Sequence, residues 1–231
     1  MQHLIQQQIE AILGYRFDDK ALLAQAFIHR SYYNENKEVE YNERLEFLGD
    51  SVLTLLISDY LFHHLPLQAE GVLSQLRSRI VDAPTCAKLI QKYGLGQYVQ
   101  LGKGEQNNGG RGRDSILADL FEALLGAIYL DGGIIETHRV FWNLFEKDVL
   151  LILQEPMRNW KAELQDYSQK KIQTPPQYRV DEAIGPDHSK KFYVVVSLAG
   201  VDMGRGEGLS KKQAEQAAAQ DAIQRIEYGK K

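Results

Sequence analysis

Two stretches of this sequence put carboxylates among the apolar side chains of helices that should be core. One reads Leu45-Glu46-Phe47-Leu48-Gly49-Asp50-Ser51-Val52-Leu53, the other Ile116-Leu117-Ala118-Asp119-Leu120-Phe121-Glu122-Ala123-Leu124-Leu125. Glu46 and Asp50 are four residues apart and Asp119 and Glu122 three, so each pair shares a helix face. The usual partners of such carboxylates are missing. At helical spacing Glu46 has Asn42, Glu43, Gly49 and Asp50, and Asp119 has Ser115, Ile116, Glu122 and Ala123. Arg44, two residues from Glu46, points elsewhere. Stacked like charges cost little in water but several kcal/mol when desolvated without a partner, so something positive belongs between them. Oxygen donors without His or Cys suit magnesium, with manganese as a substitute, rather than zinc. Spacing alone leaves two other readings open: solvated acidic faces, or pairing with Arg77 and Arg79 from another helix. A di-iron bundle would need Glu-x-x-His pairs, and the chain has none.

The elements that must position these groups are helical up to about Leu153. Apolar periodicity predicts helices over about 3–13, 20–29, 43–62, 72–92, 114–130 and 135–153. The polar, glycine-rich stretch Gly102 to Arg113 reads as a mobile loop, or as an RNA-touching segment made basic by Arg111 and Arg113. It is not a phosphate-binding P-loop, because Lys103 is followed by Gly104 and no strand precedes it. Residues 154–159 read as a linker, with Pro156 breaking the helix before it. Beyond it the pattern changes to a helix from Trp160 to about Lys171, three β-type runs (Tyr178–Ala183, Lys191–Leu198, Val201–Gly206) and an alanine-rich helix from Ser210 to Glu227. Ser210 and Gln213 fit a capping box. Two domains are therefore expected, an all-α domain over 1–153 and an α+β module (α-β-β-β-α) over 160–228.

Composition sets the outer limits. The chain has 231 residues, 44% hydrophobic and 25% charged, as in ordinary globular proteins. Its net charge of −4 is unevenly spread. Residues 1–154 carry 14 Lys and Arg against 20 Asp and Glu, whereas 155–231 carry 13 against 11. The two halves need separate explanations. No apolar run approaches the roughly 18 residues of a membrane span, so no membrane partner is expected. Met1-Gln2-His3-Leu4 shows no secretion signal. The single cysteine, Cys86, excludes an intramolecular disulfide and points to a reducing cytoplasm.

Asn42-Glu43-Arg44-Leu45-Glu46-Phe47-Leu48-Gly49-Asp50-Ser51 resembles the signature motif of the ribonuclease III family, and Ile116 to Tyr129 resembles that family's second acidic helix. His29-Arg30-Ser31-Tyr32 fits the same family. The resemblance implies that Glu46, Asp50, Asp119 and Glu122 are magnesium ligands, with Asp50 and Glu122 counted as catalytic. It places Glu43 and Glu70 at acidic positions of the same cleft. Gly49 reads as small so that the two acidic helices can approach. Phe47 matches an aromatic that inserts into a socket on a partner subunit, which implies a homodimer. No small-molecule cofactor is implied.

The C-terminal module resembles the double-stranded-RNA-binding domain through Leu164-Gln165-Asp166-Tyr167, Tyr178, Gly185 to Phe192 and Gly206 to Ala214. That resemblance implies that Gln165 and His188 reach successive minor grooves, that Lys211 and Lys212 grip the phosphates between, and that Lys190 is a further RNA-binding residue. Two lysines opening a helix fit an anionic ligand, since helix N-termini already favour phosphate. Where the family often has a third lysine this chain has Glu215. Taken together, the resemblance implies hydrolysis of both strands of duplex RNA to 5′-phosphate and 3′-hydroxyl ends with two-nucleotide 3′ overhangs, in ribosomal and messenger RNA processing. The competing reading is a relative that binds duplex RNA or ribosomes without cutting.

Overall fold

The computed structural model describes residues 3–155, 159–185 and 190–228. Two compact units emerge, Met1–Glu155 and Pro156–Lys231. The first is helical: α1 (His3–Leu13), α2 (Lys20–Ala26), α3 (Arg30–Glu35), α4 (Glu43–His64), α5 (Glu70–Ile80), α6 (Ala83–Lys92), α7 (Lys103–Asn107) and α8 (Asp114–Gln154). The second follows as α9 (Trp160–Lys171), β1 (Gln177–Ile184), β2 (Lys191–Leu198), β3 (Val201–Gly208) and α10 (Lys211–Tyr228). Residues 156–158 of the expected linker lie outside the described residues.

The core of the helical unit forms where α4 and α6 pack on α8. Leu45, Leu53, Ile57, Cys86, Ile90, Leu117, Phe121 and Leu124 are all buried there. What sets the α4–α8 distance is a pair of glycines. A Cβ on Gly49 would stand 1.7 Å from the backbone oxygen of Glu122, and one on Gly126 would stand 2.2 Å from that of Leu45. The two backbones touch, so nothing larger than hydrogen fits at either position.

Several boundaries depart from the sequence reading. The helix expected over 72–92 is two helices. Pro84 lacks an N–H and belongs in a first turn, and Asp82 caps α6 by accepting from the Thr85 N–H at 2.8 Å. The helix expected to reach residue 29 ends at Ala26, and His29 caps the short α3. The two helices expected over 114–130 and 135–153 are both present: α8 consists of two helical segments that meet at a kink at Gly133 (φ 74°, ψ −178°), a conformation that suits glycine. The glycine-rich stretch 102–113 is folded: it holds α7 and a 3₁₀ turn at Gly110–Gly112. Ser31 Oγ and Glu35 Oε1 accept its Gly102 and Lys103 N–H groups at 2.9 and 2.8 Å.

In the second unit β1, β2 and β3 pair antiparallel in that order. Leu164 of α9, Val194, Val196 and Leu198 of β2, and Ala214, Ala218, Ala219 and Ala222 of α10 form its core. The alanines let α10 lie close on β3, where a Cβ at Gly206 would come within 2.1 Å of the Ala218 nitrogen. Ser210 Oγ accepts the Gln213 N–H at 3.2 Å, and Gln213 Oε1 accepts the N–H of Leu209 rather than of Ser210.

Gly49→Ala adds a methyl group where backbone stands, so the gain in helix propensity is outweighed. It should destabilise the full chain by about 1–3 kcal/mol or more in urea melts. A melt at or above the parent's midpoint would mean the helices separate without cost.

Candidate active site and nucleic-acid interface

The glycine contact decides where the carboxylates go. Glu46 and Asp50 flank Gly49 on α4, and Glu122 lies on the facing turn of α8, its carbonyl directly under Gly49. Asp119 is one turn earlier. Glu46, Asp119 and Glu122 are half-buried and Asp50 is exposed at the rim. Among the described residues none of the four takes part in an ion pair. Arg77, one candidate partner, donates instead to Ser58 Oγ at 3.0 Å. Arg79, the other, holds Ile152 O and the Glu155 carboxylate at 3.0 and 2.8 Å.

The electrostatics follow. Burial, then the charges of Asp50, Glu46 and Asp119, push the Glu122 carboxyl up to about 8. Burial, with Asp119, Glu43 and Asp50, pushes Glu46 up to about 7. Asp119 is also raised, chiefly by burial, with His29 opposing the shift. The charges of Asp50 and Asp119 act on both Glu46 and Glu122, which links the carboxylates of the two helices electrostatically. Among the described residues no three His, Cys, Asp or Glu groups are placed so that they could hold a metal ion.

Glu43 belongs to the same neighbourhood, since it acts on Glu46 and Asp119, but its charge is shared with Arg30 at 3.2 Å. Sequence spacing missed that pair because the partners lie 13 residues apart. Glu70 is placed differently. It opens α5, is exposed, accepts from Ser74 Oγ at 2.7 Å, and is not among the charges that raise Glu46, Asp119 and Glu122. His29, whose motif was visible but carried no role, stands within electrostatic reach of Asp119. Phe47 is 78% exposed, as few large apolar side chains are.

In the second unit Gln165 is exposed on α9, and Lys211 and Lys212 are exposed on the first turn of α10 with no ion pair among the described residues. Lys190 is half-buried and has interactions of its own. His188 lies outside the described residues. Glu215 is held by Lys161 Nζ at 2.6 Å, and that same ammonium sits 4.7 Å from the centre of the Tyr178 ring. The acid at the third-lysine position is thus neutralised by α9.

The profile described as Ribonuclease-III-like matches residues 19–148, and the double-stranded RNA binding motif matches 160–226. A Protochlamydia amoebophila protein named Ribonuclease 3 is 56% identical over 230 residues, covering 98% of this chain and 95% of that one. The chain belongs to the ribonuclease III family. The Ribonuclease 3 of Caldanaerobacter subterraneus is 45% identical, with 94% of this chain and 96% of that one covered. A crystal structure of the ribonuclease III nuclease domain from Campylobacter jejuni is similar at a TM-score of 0.58 and 40% identity, over 64% of this chain and 97% of that one. A second structure of that domain, at a TM-score of 0.57 and 42% identity over 61% of this chain and 95% of that one, is described as flexible in a region involved in dimer formation. This ribonuclease III chain is accordingly an endoribonuclease, a hydrolase built from an α-helical nuclease domain and an α-β-β-β-α RNA-binding domain.

Two predictions arise from this ribonuclease III geometry. A carboxyl raised in the folded state is protonated in both states at low pH. As pH rises through its unfolded value near 4.5 the unfolded chain gains more from ionisation, so stability falls until the folded value is passed. Without metal, Glu122→Gln should therefore melt above the parent at pH 8, with the gap closing as pH drops below about 5; a gap constant with pH would refute the shift. Separately, Glu215→Lys should tighten duplex-RNA binding and, by adding one phosphate interaction, steepen the log–log salt slope by about 1. An unchanged slope in a salt titration would mean that this face of α10 does not meet phosphate.

Proposed function

We propose that this enzyme cuts both strands of double-stranded RNA, with Glu46, Asp50, Asp119 and Glu122 holding magnesium, or manganese in its place. The observation that carries the reading is a set of carboxylates, three of them half-buried, that act on one another electrostatically and form no ion pair among the described residues. Their donor set is all oxygen, which fits these hard ions. Held by Glu46, Asp50, Asp119 and Glu122, such an ion would supply the positive charge needed to activate a water and to stabilise a departing 3′-oxygen. The chain's part is to aim the four donors across the Gly49–Gly126 contact, with Asp50 at the mouth and Glu122 deepest. Arg30 draws part of the Glu43 charge away from the cluster. Lys211, Lys212 and Gln165 of the RNA-binding domain would bring the duplex in, recognising its shape and phosphates rather than its sequence.

We assign the products 5′-phosphate and 3′-hydroxyl ends with two-nucleotide 3′ overhangs, and the substrates to ribosomal precursors and structured messages. We place its action in the cytoplasm, a reducing compartment that suits a single buried, free cysteine, Cys86. The working unit is a homodimer. Phe47 itself lines a groove of about 600 Å³, together with Leu22, Gln25, Leu48 and Leu130. A two-fold axis would seat each copy's Phe47 in the other's groove, and the dimer region named for the Campylobacter jejuni domain supports the assignment.

Duplex RNA incubated with the full-length enzyme should be cut only with magnesium or manganese, giving the stated ends. Glu122→Gln should lower the rate by roughly 10²–10⁴ with RNA binding little changed. Near-normal cleavage by that variant at limiting magnesium would refute the metal assignment. Monomers in sedimentation that still make paired staggered cuts would refute the dimer.

A further inference from the structure

The first turn of α9 is held by α10. Asn159, which precedes α9, caps it in the ordinary way: its Oδ1 accepts the Ala162 N–H at 3.1 Å. The Lys161 N–H, one of the donors that a helix start leaves without a carbonyl of its own, is met from the other helix. Gln216 Oε1 of α10 accepts it at 3.2 Å, from 55 residues away in the chain. The same amide donates from Nε2 to Asn159 Oδ1 at 3.1 Å. One half-buried glutamine thus completes the cap of a second helix. Outside it lies the ion pair of Lys161 with Glu215 at 2.6 Å, partly exposed and of the kind that contributes little.

The groups assigned to RNA lie one turn from this contact on either helix. Gln165 is four residues beyond Lys161 on α9, and Lys212 four residues before Gln216 on α10. We propose that Gln216 is a positioning residue for duplex recognition, clasping the start of α9 to α10 so that Gln165 and the Lys211–Lys212 pair stand at a fixed spacing. A domain that reads duplex RNA by shape must match the spacing of its own contacts to that of grooves and phosphates. Two contacts on one rigid ligand reinforce each other only while that match holds. The chemistry of the clasp accounts for an amide among the small residues Ala214, Ala217, Ala218 and Ala219. Position 216 has to accept from Lys161 and donate to Asn159, and a carboxylate there would set two acceptors face to face. The proposal rests on Gln165, Lys211 and Lys212 being RNA contacts.

Duplex length separates spacing from mere stability. Full-length protein without divalent metal is titrated with an RNA duplex of about 20 bp, longer than the roughly 16 bp such a domain spans, and with one of about 8 bp, which can meet only one set of contacts. Binding is measured over a salt series, at a temperature where melting curves show every variant folded. Gln216→Ala should lower the ratio of long-duplex to short-duplex affinity by roughly 3- to 10-fold, the worth of about one hydrogen bond, with the parent's salt slope. Asn159→Asp keeps both acceptances and should keep the ratio. Lys211→Ala combined with Lys212→Ala serves as the reference and should lower the slope by about 2. An unchanged slope in that reference would mean that RNA avoids this face, and the reading of the lysines fails together with the proposal. If the reference slope falls while Gln216→Ala keeps the parent's ratio, the role of Gln216 alone is overturned. Equal weakening of Gln216→Ala on both duplexes would reduce Gln216 to a helix cap and also overturn it.

Discussion

The touching of backbone on backbone at Gly49 and Gly126 is the constraint from which the nuclease domain follows. Two helices ordinarily stand 8–10 Å apart, held off by their side chains. Here a hydrogen atom is all that separates the α4 backbone from the Glu122 carbonyl. Residues flanking this point are drawn together across a narrow cleft, and those residues are Glu46, Asp50 and Glu122, with Asp119 one turn away. Had either glycine carried a side chain, the same four carboxylates would stand farther apart, each better hydrated.

That closeness works against stability. Half-buried carboxyls that feel one another are raised toward neutrality, with Glu46 at about 7 and Glu122 at about 8. Such groups are a local cost carried by the surrounding core, in which Leu45, Leu53, Ile57, Leu117, Phe121 and Leu124 are fully buried on the same two helices. Functional sites commonly break a packing rule in this way, and the break is itself a pointer to function. Two arginines that could have paired with the cluster are engaged elsewhere. Arg77 is turned to Ser58 and Arg79 to the end of α8, so the positions between the carboxylates stay available.

The RNA-binding domain solves a different problem with the same device of small residues. Alanines on α10 and glycines on β3 let helix and sheet touch, which fixes the exposed first turn of α10 and its two lysines against the sheet. Glu215 departs from the basic pattern of that turn, and Lys161 answers it from α9. A reversed charge at one position has been matched by a local ion pair rather than by a change of fold.

The sequence by itself determined most of the architecture and the identity of the cluster. Apolar periodicity is a local property, so α1, α4, α9 and α10 and the order helix, three strands, helix were legible from spacing alone. The carboxylates at 46, 50, 119 and 122 were legible as a chemical oddity, since no cation stood at helical spacing from Glu46 or Asp119. Local chemistry also marked breaks that periodicity overrode, as at Asp82 and Pro84. What only the tertiary structure decided concerns partners distant in the chain: Glu43 meets Arg30, Arg79 turns to Glu155, and Glu70 stays out of the charge cluster while His29 enters it. The physical reason is the range of each signal. A helix face is written within four residues, whereas the separation of two faces is set where residues 49 and 126 meet, which no periodicity encodes.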